Sequence, residues 1–323
     1  MRISTSKLFV RVCRFVVVGT VLCGAVRAKA SEVLVPGTGQ KVVQVGDDFE
    51  DKDWEYYPAA PKSSENIDEQ QRIPGGASKN GRFYEGIMRG QPDIVKRVKT
   101  PEGGLTGSEG ALLLRSIWTG IPGRPTYRMQ QDDFIMDVEN RLGGSIPVSQ
   151  QPSFVTRVFL PPISTWERRS GAHFAVRAAV DTMTWQHEKG HYWGREIYYP
   201  GMFIEFNRKE DTGLKYDTSY IRIRAADNGG DYKGPEIKQT GWWTFGMSFP
   251  RNGQISFFAK PGVEDLTKDD FIASHYSYGF QCQRFKTLFY NVCSADDGRT
   301  SSTSFIIDDP TLYYVRTVEQ ARK

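Results

Sequence analysis

Histidine and cysteine are scarce in this chain, four of each among 323 residues. Long apolar runs are scarcer still. Beyond the first thirty residues no stretch approaches the roughly 20 apolar residues that a membrane-crossing helix needs, which excludes a helical membrane protein. Helical periodicity is nearly missing too, with residues 264–273 offering a turn or two, so a bundle or coiled coil is excluded. There is no internal repeat and no linker-like composition inside the body, which leaves one large domain as the expectation.

An excess of charge of one sign is also lacking once the N-terminus is set apart. Arg2, Lys7, Arg11 and Arg14 precede a short apolar stretch at 15–26, and Ala28-Lys29-Ala30 supplies small-x-small before Ser31. That pattern is a secretory signal peptide over 1–30, cut near Ala30. Lipidation at Cys23 is disfavoured, because Leu22 is too large for the usual lipidation cut. The expected address is therefore secreted or periplasmic. The leader holds six of the 42 basic residues and no acidic one; the remaining 36 face 38 acidic residues, a net charge of about −2. No electrostatic footprint for nucleic acid remains.

Two cysteines leave with the leader. Cys282 and Cys293, eleven positions apart and bound for an oxidising space, are expected to pair as a disulfide. The rival reading, a metal or nucleophile site, would want a histidine partner, and His275 is the one nearby.

What the body does contain is period-2 alternation. Trp243, Phe245, Met247 and Phe249 alternate with smaller residues, Asn252-Gly253 follows, and Ile255 and Phe257 resume the apolar face, which is the pattern of a hairpin whose turn takes positive φ at both central residues. Residues 111–116, 153–160, 173–180, 202–206 and 219–224 read as further strands, separated by Gly, Pro, Asn and Asp. Residues 31–46 read as a loose lead-in, 60–81 as a long surface loop and 319–323 as a tail. Many short strands with turn signals predict an all-β fold, an antiparallel sandwich or barrel, of which the β-sandwich spanning 47–318 is the expectation taken forward.

Asp47-Asp48-Phe49-Glu50-Asp51 with Trp54, the strand at 109–114, the Trp243 hairpin and Ile307-Asp308-Asp309-Pro310-Thr311-Leu312-Tyr313 resemble the opening, second, penultimate and last strands of concanavalin A-like lectin/glucanase jelly rolls. The chain also resembles a set of exported proteins from planctomycete-type bacteria. Phe285-Lys286-Thr287-Leu288-Phe289-Tyr290, followed by Asp296-Asp297-Gly298, is similar in layout to alginate-type polysaccharide lyases. The resemblance implies a jelly roll that meets polysaccharide; it does not by itself transfer an activity.

Several chemistries compete for the residues that remain. His187-Glu188-Lys189-Gly190-His191 matches H-E-x-x-H, which on a helix would hold zinc. Gly190 inside the motif and the strand-prone aromatics around it speak against that helix. The same segment concentrates Trp185, His187, His191, Tyr192, Trp193, Arg195, Tyr198 and Tyr199, rings for stacking on sugars with hydrogen-bonding groups beside them. A lyase needs a group to neutralise a uronate carboxylate and a base for the neighbouring C–H; His173, Arg177, Arg195, Tyr290 and Asn291 are of those types. Hydrolysis would want paired carboxylates, for which Glu196 and Glu205 are available, but the E-x-D-x-x-E strand signature is missing. Asp47, Asp48, Asp308 and Asp309 flank the first and last strands and form a candidate structural calcium site, the one cofactor expected; their alternative role is turn capping. The expected function is recognition of an extracellular or periplasmic polysaccharide. The alternatives are a uronate-polysaccharide lyase and a non-enzymatic structural or surface protein.

Overall fold

Alternating apolar side chains become paired strands along nearly the whole body of the chain. The computed structural model describes residues 33–60, 62, 75–117, 120, 123–186, 190–226 and 228–315. The segment expected to be a signal peptide, most of the 60–81 stretch and the expected tail lie outside the described residues. The strands in chain order are β1 (Gln40–Lys41), β2 (Tyr56–Tyr57), β3 (Ala77–Ser78), β4 (Phe83–Glu85), β5 (Ile94–Lys99), β6 (Gly110–Arg115), β7 (Met129–Met136), β8 (Ile146–Pro147), β9 (Ser153–Leu160) and β10 (Gly171–Gln186). There follow β11 (Tyr192–Tyr198), β12 (Gly201–Asn207), β13 (Thr218–Arg224), β14 (Asp231–Glu236), β15 (Gly241–Ser248), β16 (Ile255–Pro261), β17 (Phe271–His275), β18 (Arg284–Ala295) and β19 (Phe305–Tyr314). Among the described residues every strand pairing is antiparallel.

One sheet runs β17-β16-β15-β9-β19-β6-β5, with β1 beside β19. The other runs β14-β13-β12-β10-β18-β7-β4-β3-β2, with β11 beside β10 and β8 beside β18. Along the chain the central strands switch sheet at each step except from β10 to β12: β6, β9, β15 and β19 lie in the first, β7, β10, β12 and β18 in the second. The resulting orders, β15-β9-β19-β6 and β12-β10-β18-β7, are those of a jelly roll built from two Greek keys.

Inward side chains from both sheets make one core. Phe134, Phe174 and Tyr290 of the second sheet meet Phe305, Phe154 and Met247 of the first, all fully buried. Phe83 and Phe134 stack at 4.6 Å between ring centroids, and Phe174 and Phe305 at 4.7 Å. Burying one such ring contributes about 1.5–3 kcal/mol, so this layer supplies most of the cohesion between sheets.

The hairpin that the Trp243 alternation predicts is β15–β16, with Ser248 opposite Ser256. Its turn differs from the tight form expected. Only Gly253 has positive φ (78°), and its N–H closes on Pro250 O at 2.9 Å. Residues 33–46 are no loose lead-in: Val42 and Val45 enter the core, and Ser248 Oγ donates to Leu34 O at 2.6 Å. The helical turn expected within 264–273 is a single 3₁₀ turn, Lys268–Asp270, ahead of β17.

The expected disulfide does not form. Cys282 and Cys293 are both free and buried. The reason is strand length: from Arg284 to Ala295 the chain is continuously extended, and at about 3.3 Å per residue that puts about 30 Å between groups whose Cα atoms must lie within about 7 Å to bond. Burial raises both thiols to about 12, which removes thiolate reactivity as well. Thermal unfolding is accordingly expected to be the same with and without a thiol reductant, and both thiols should react with a thiol reagent only after denaturation. A melting point lowered by the reductant would contradict this arrangement.

Candidate functional site

The outward face of the second sheet, opposite the core, carries a run of polar and charged residues on adjacent strands. Register aligns Ala175, Asn291 and Asp133 across β10, β18 and β7, and Arg177, Phe289 and Ile135 one step along. On the other flank Arg177 lies beside Gly201, and Gly201 beside Arg224. Around these residues opens a cleft of about 480 Å³, walled by Tyr84, Arg89, Tyr199 and Tyr278.

Arg177 is the centre of this cleft and is itself only 4% exposed. Its Nη1 donates to Asn291 Oδ1 at 3.0 Å and its Nη2 to Tyr199 O at 2.6 Å. The guanidinium lies over Phe203 and Phe289, 5.2 Å from each ring centroid. A Cβ on Gly201 would lie 2.5 Å from Arg177 Cγ, so that position must be glycine for the arginine to lie flat. Burial, then the nearby Arg224 charge, pulls Arg177 down to about 10, which leaves it cationic at neutral pH. Its Nε has no partner and is buried, a donor that is costly to leave unmade.

Asp133 faces the same cleft. Burial pushes its carboxyl up to about 7, against the pull of Arg89 and Arg177. Asn291 Nδ2 donates to its Oδ1, so Asn291 bridges the carboxylate and the arginine. Tyr84 is pushed up to about 12, mainly by burial, and Tyr199 is also raised by burial, so both phenols stay protonated at neutral pH. Toward β14 the cationic character continues: Arg222 and Arg224 cover Phe203 at 4.3 and 5.0 Å and are held by Glu205 and Asp231.

The other end of the face is aromatic. β10 runs past the sandwich, and β11 folds back on it with Asp181 opposite Ile197, Met183 opposite Arg195 and Trp185 opposite Trp193. These positions share the parity of Arg177, so the same face continues outward. Trp185 and Trp193 meet edge to face at 5.9 Å and are 39% and 64% exposed. Eight residues at about 3.3 Å place Trp185 about 26 Å from Arg177 along the strand. Arg195 on this extension is paired to Asp181 at 2.8 Å rather than directed at the Arg177 cleft. Tyr192, opposite Gln186, takes the other face and is half exposed.

Several residues expected at the site are elsewhere. Tyr290 points into the core, fully buried, with its hydroxyl 2.7 Å from Thr156 Oγ1; burial raises it beyond use as a base. His173 is also fully buried, between Thr303 Oγ1 (2.8 Å) and Arg169 O (2.9 Å), and burial lowers it to about 3. A bulge between Ala172 and Phe174 takes it out of the ladder and turns it from the outer face. Tyr198 is core, packed on Tyr278 and Phe280. His187 lies outside the described residues. Gly190 and His191 form a turn with φ of 116° and 56°, and the chain beyond them is strand, so this half of H-E-x-x-H is not the helix that zinc would need.

The four aspartates expected to hold calcium are not gathered. No group of three or more His, Cys, Asp or Glu suited to a metal occurs among the described residues. Asp47 accepts from Phe49 N at 2.8 Å, Trp54 Nε1 at 3.2 Å and Asn80 Nδ2 at 2.5 Å, and Asp48 from Glu50 N at 3.2 Å. Asp309 pairs with Arg157 at 3.0 Å, and Asp308 accepts from Ser108 Oγ at 3.0 Å. These oxygens serve turns and ion pairs, the alternative role. Burial pushes Asp308 up to about 7. A folded value raised above the unfolded one of 3.8 favours the native state at low pH, and that contribution is lost as pH rises from about 4 through 7. The full difference is about 4 kcal/mol at about 1.4 kcal/mol per tenfold change in proton affinity. Asp308→Asn is therefore expected to flatten the fall in melting temperature between pH 5 and pH 8; an unchanged slope would contradict it.

Asp133, Arg89, Arg224, Tyr84 and Tyr278 were not legible as site residues. The one available signal was Arg222 and Arg224 alternating with Ile221 and Ile223, a strand with guanidinium groups along its outer face.

No family model matches the chain, and no curated protein matches it either. Among solved structures it is similar to an alginate lyase from Pseudomonas aeruginosa, at 7% identity and a TM-score of 0.39 over 69% of this chain and 87% of that one. It is similar to an endo-β-1,4-glucuronan lyase from Trichoderma reesei, at 10% and 0.35 over 80% and 94%. A third likeness is to the CBM2 module of the evolved Dit of Lactobacillus casei BL23 phage J-1, at 11% and 0.37 over 88% and 99%. All three are distant.

Proposed function

We propose that this protein binds an acidic polysaccharide along the outer face of its second sheet, outside the cytoplasm after loss of residues 1–30. Arg177 carries the reading. It is a buried, cationic guanidinium with an unmatched Nε, held flat on Phe203 and Phe289 beside Asn291 at the floor of an open cleft. A carboxylate is the group that guanidinium geometry pairs with best. Trp185 and Trp193, further along the face, offer rings to the C–H faces of neutral or acidic sugars alike. Export rests on the basic and apolar pattern of the leader alone.

The test is retention of the purified protein on a panel of polyuronates and neutral glucans in affinity electrophoresis. Retention by polyuronates, weakening with salt, is expected. Trp193→Ala is expected to weaken retention by about tenfold, taking about 1–2 kcal/mol for one aromatic platform. No retention on any acidic glycan would sink the proposal.

One observation favours elimination as a second reading. Asp133, at about 7 in the cleft and tied through Asn291 to Arg177, is placed where a proton acceptor and a carboxylate neutraliser would work together. Ultraviolet absorbance of an unsaturated uronate product, lost in Asp133→Asn with binding retained, would support it. Binding without such absorbance on any polyuronate leaves recognition as the function.

A further inference from the structure

On the opposite face of β7, away from the cleft, Asp132 meets a buried lysine. Lys62 is 7% exposed, and its Nζ lies 2.5 Å from Asp132 Oδ2 and 3.0 Å from Asp93 Oδ2. Asp132 is wholly buried in the middle of β7, whereas Lys62 comes from the segment between β2 and β3. Nothing in glycan binding uses this trio. Gly90 makes the approach possible, since a Cβ there would lie 3.0 Å from Lys62 Cε and 3.3 Å from Asp132 Oδ1.

Both oxygens of Asp132 receive hydrogen bonds besides the lysine. Gln130 Nε2 donates to Oδ1 at 2.7 Å, and Ser116 Oγ donates to Oδ2. Asp93 is held by Ile117 N at 2.6 Å. An amine fixed against a carboxyl in a water-poor site has the proximity that turns a slow bimolecular condensation into an intramolecular one. Donors on the carboxyl oxygens are placed to stabilise the charge that develops on attack.

We propose that Lys62 and Asp132 condense to an intramolecular amide, a covalent cross-link between the β2–β3 segment and the central strand β7. In this step the Lys62 ammonium gives a proton to Asp93. The freed Nζ attacks Asp132 Cγ, the N–C bond forms, and a C–O bond of the carboxyl breaks. Asp93 returns its proton to the departing oxygen, together with the second amine proton, so one water leaves and no oxidant or reductant is consumed. Burial raises Asp93, which suits it to hold a proton in passing. The carboxylates outweigh burial and keep the Lys62 ammonium protonated, so the transfer to Asp93 comes first. The cross-link would leave a neutral amide where the structure has a buried ion pair, removing the cost of two buried charges.

Mass spectrometry of the full chain, purified and digested under denaturing conditions, tests this. The expected result is one peptide pair joining the segments that hold Lys62 and Asp132, lighter than their sum by one water. Lys62→Arg, which keeps the charge and the fold, should show no linked pair. Asp132→Asn should give the same linked pair with loss of ammonia in place of water. Asp93→Asn should leave the segments unlinked; full linkage in that variant would overturn the role of Asp93. Separate, unmodified peptides from the wild-type chain after prolonged incubation at neutral pH would overturn the cross-link and leave an ion pair.

Discussion

Arg177→Gln is expected to lose binding to polyuronates by about 10- to 100-fold while leaving the weaker retention on neutral glucans in place. The magnitude follows from the loss of charge-assisted hydrogen bonds, worth about 1.5–3 kcal/mol, at about 1.4 kcal/mol per tenfold. Glutamine has the reach to keep one bond toward Asn291 but no positive charge and no flat fork over Phe203. Arg177→Lys keeps the charge and loses the fork, so it should fall between the two. Because Arg177 also holds the Asp133 carboxyl down, the glutamine variant should raise Asp133 further, and any elimination activity should shift its pH dependence upward. The measurement is a pair of retention curves, acidic and neutral, at two salt concentrations. Equal loss on both ligands would mean that Arg177 shapes the cleft rather than recognising a carboxylate.

The largest stability effect is expected at Phe134. This ring stacks on Phe83 and touches Tyr56 and Tyr290, with no exposed surface. Phe134→Ala removes the transfer energy of the ring and leaves a cavity between sheets, together costing about 3–5 kcal/mol. In a domain of this size that lowers the melting temperature by about 10 °C. Tyr290→Phe, one strand away, is the informative contrast. It removes only the bond to Thr156 Oγ1, costing about 1–3 kcal/mol through the unpaired buried hydroxyl. Glycan retention should be unchanged. A Tyr290→Phe variant that kept its stability but lost all activity on a polyuronate would place that phenol at the site and contradict the inward orientation.

Tyr290 marks how far this fold is legible in the sequence. The alternation of Trp243, Phe245, Met247 and Phe249 identified a strand, and many such strands pointed to a sandwich or barrel. That Thr244 and Ser248 on its other face are buried too was not readable from the pattern. Side-chain parity is harder to read. Tyr290 and Asn291 are neighbours, so one faces the core and the other the cleft. Composition near them does not say which, because a Tyr fits either place. At Ala172–Phe174 a bulge reverses the parity altogether and sends His173 inward. Trp185, Trp193 and Arg177 stood out in the sequence as rings and a charge of the right types on strand-like runs, and the structure places all three on the outward face of β10 and β11. Asp133 and Arg224 come to Arg177 from strands far away in sequence, so only the register brings them together. The cysteines failed for a related reason: eleven positions close a short loop only if the chain turns between them, and here it does not.

β10 binds β12 through residues 171–177 and β11 through residues 180–186. Its first half is therefore fastened inside the jelly roll, and its second half carries Trp185 as a cantilever. Length and sequence can change beyond Thr182 without disturbing the ring stack around Phe134 and Phe174. On the proposed reading, a lineage bearing this architecture can exchange one sugar preference for another at its overhang while Arg177, held within the first half of the strand, stays in place.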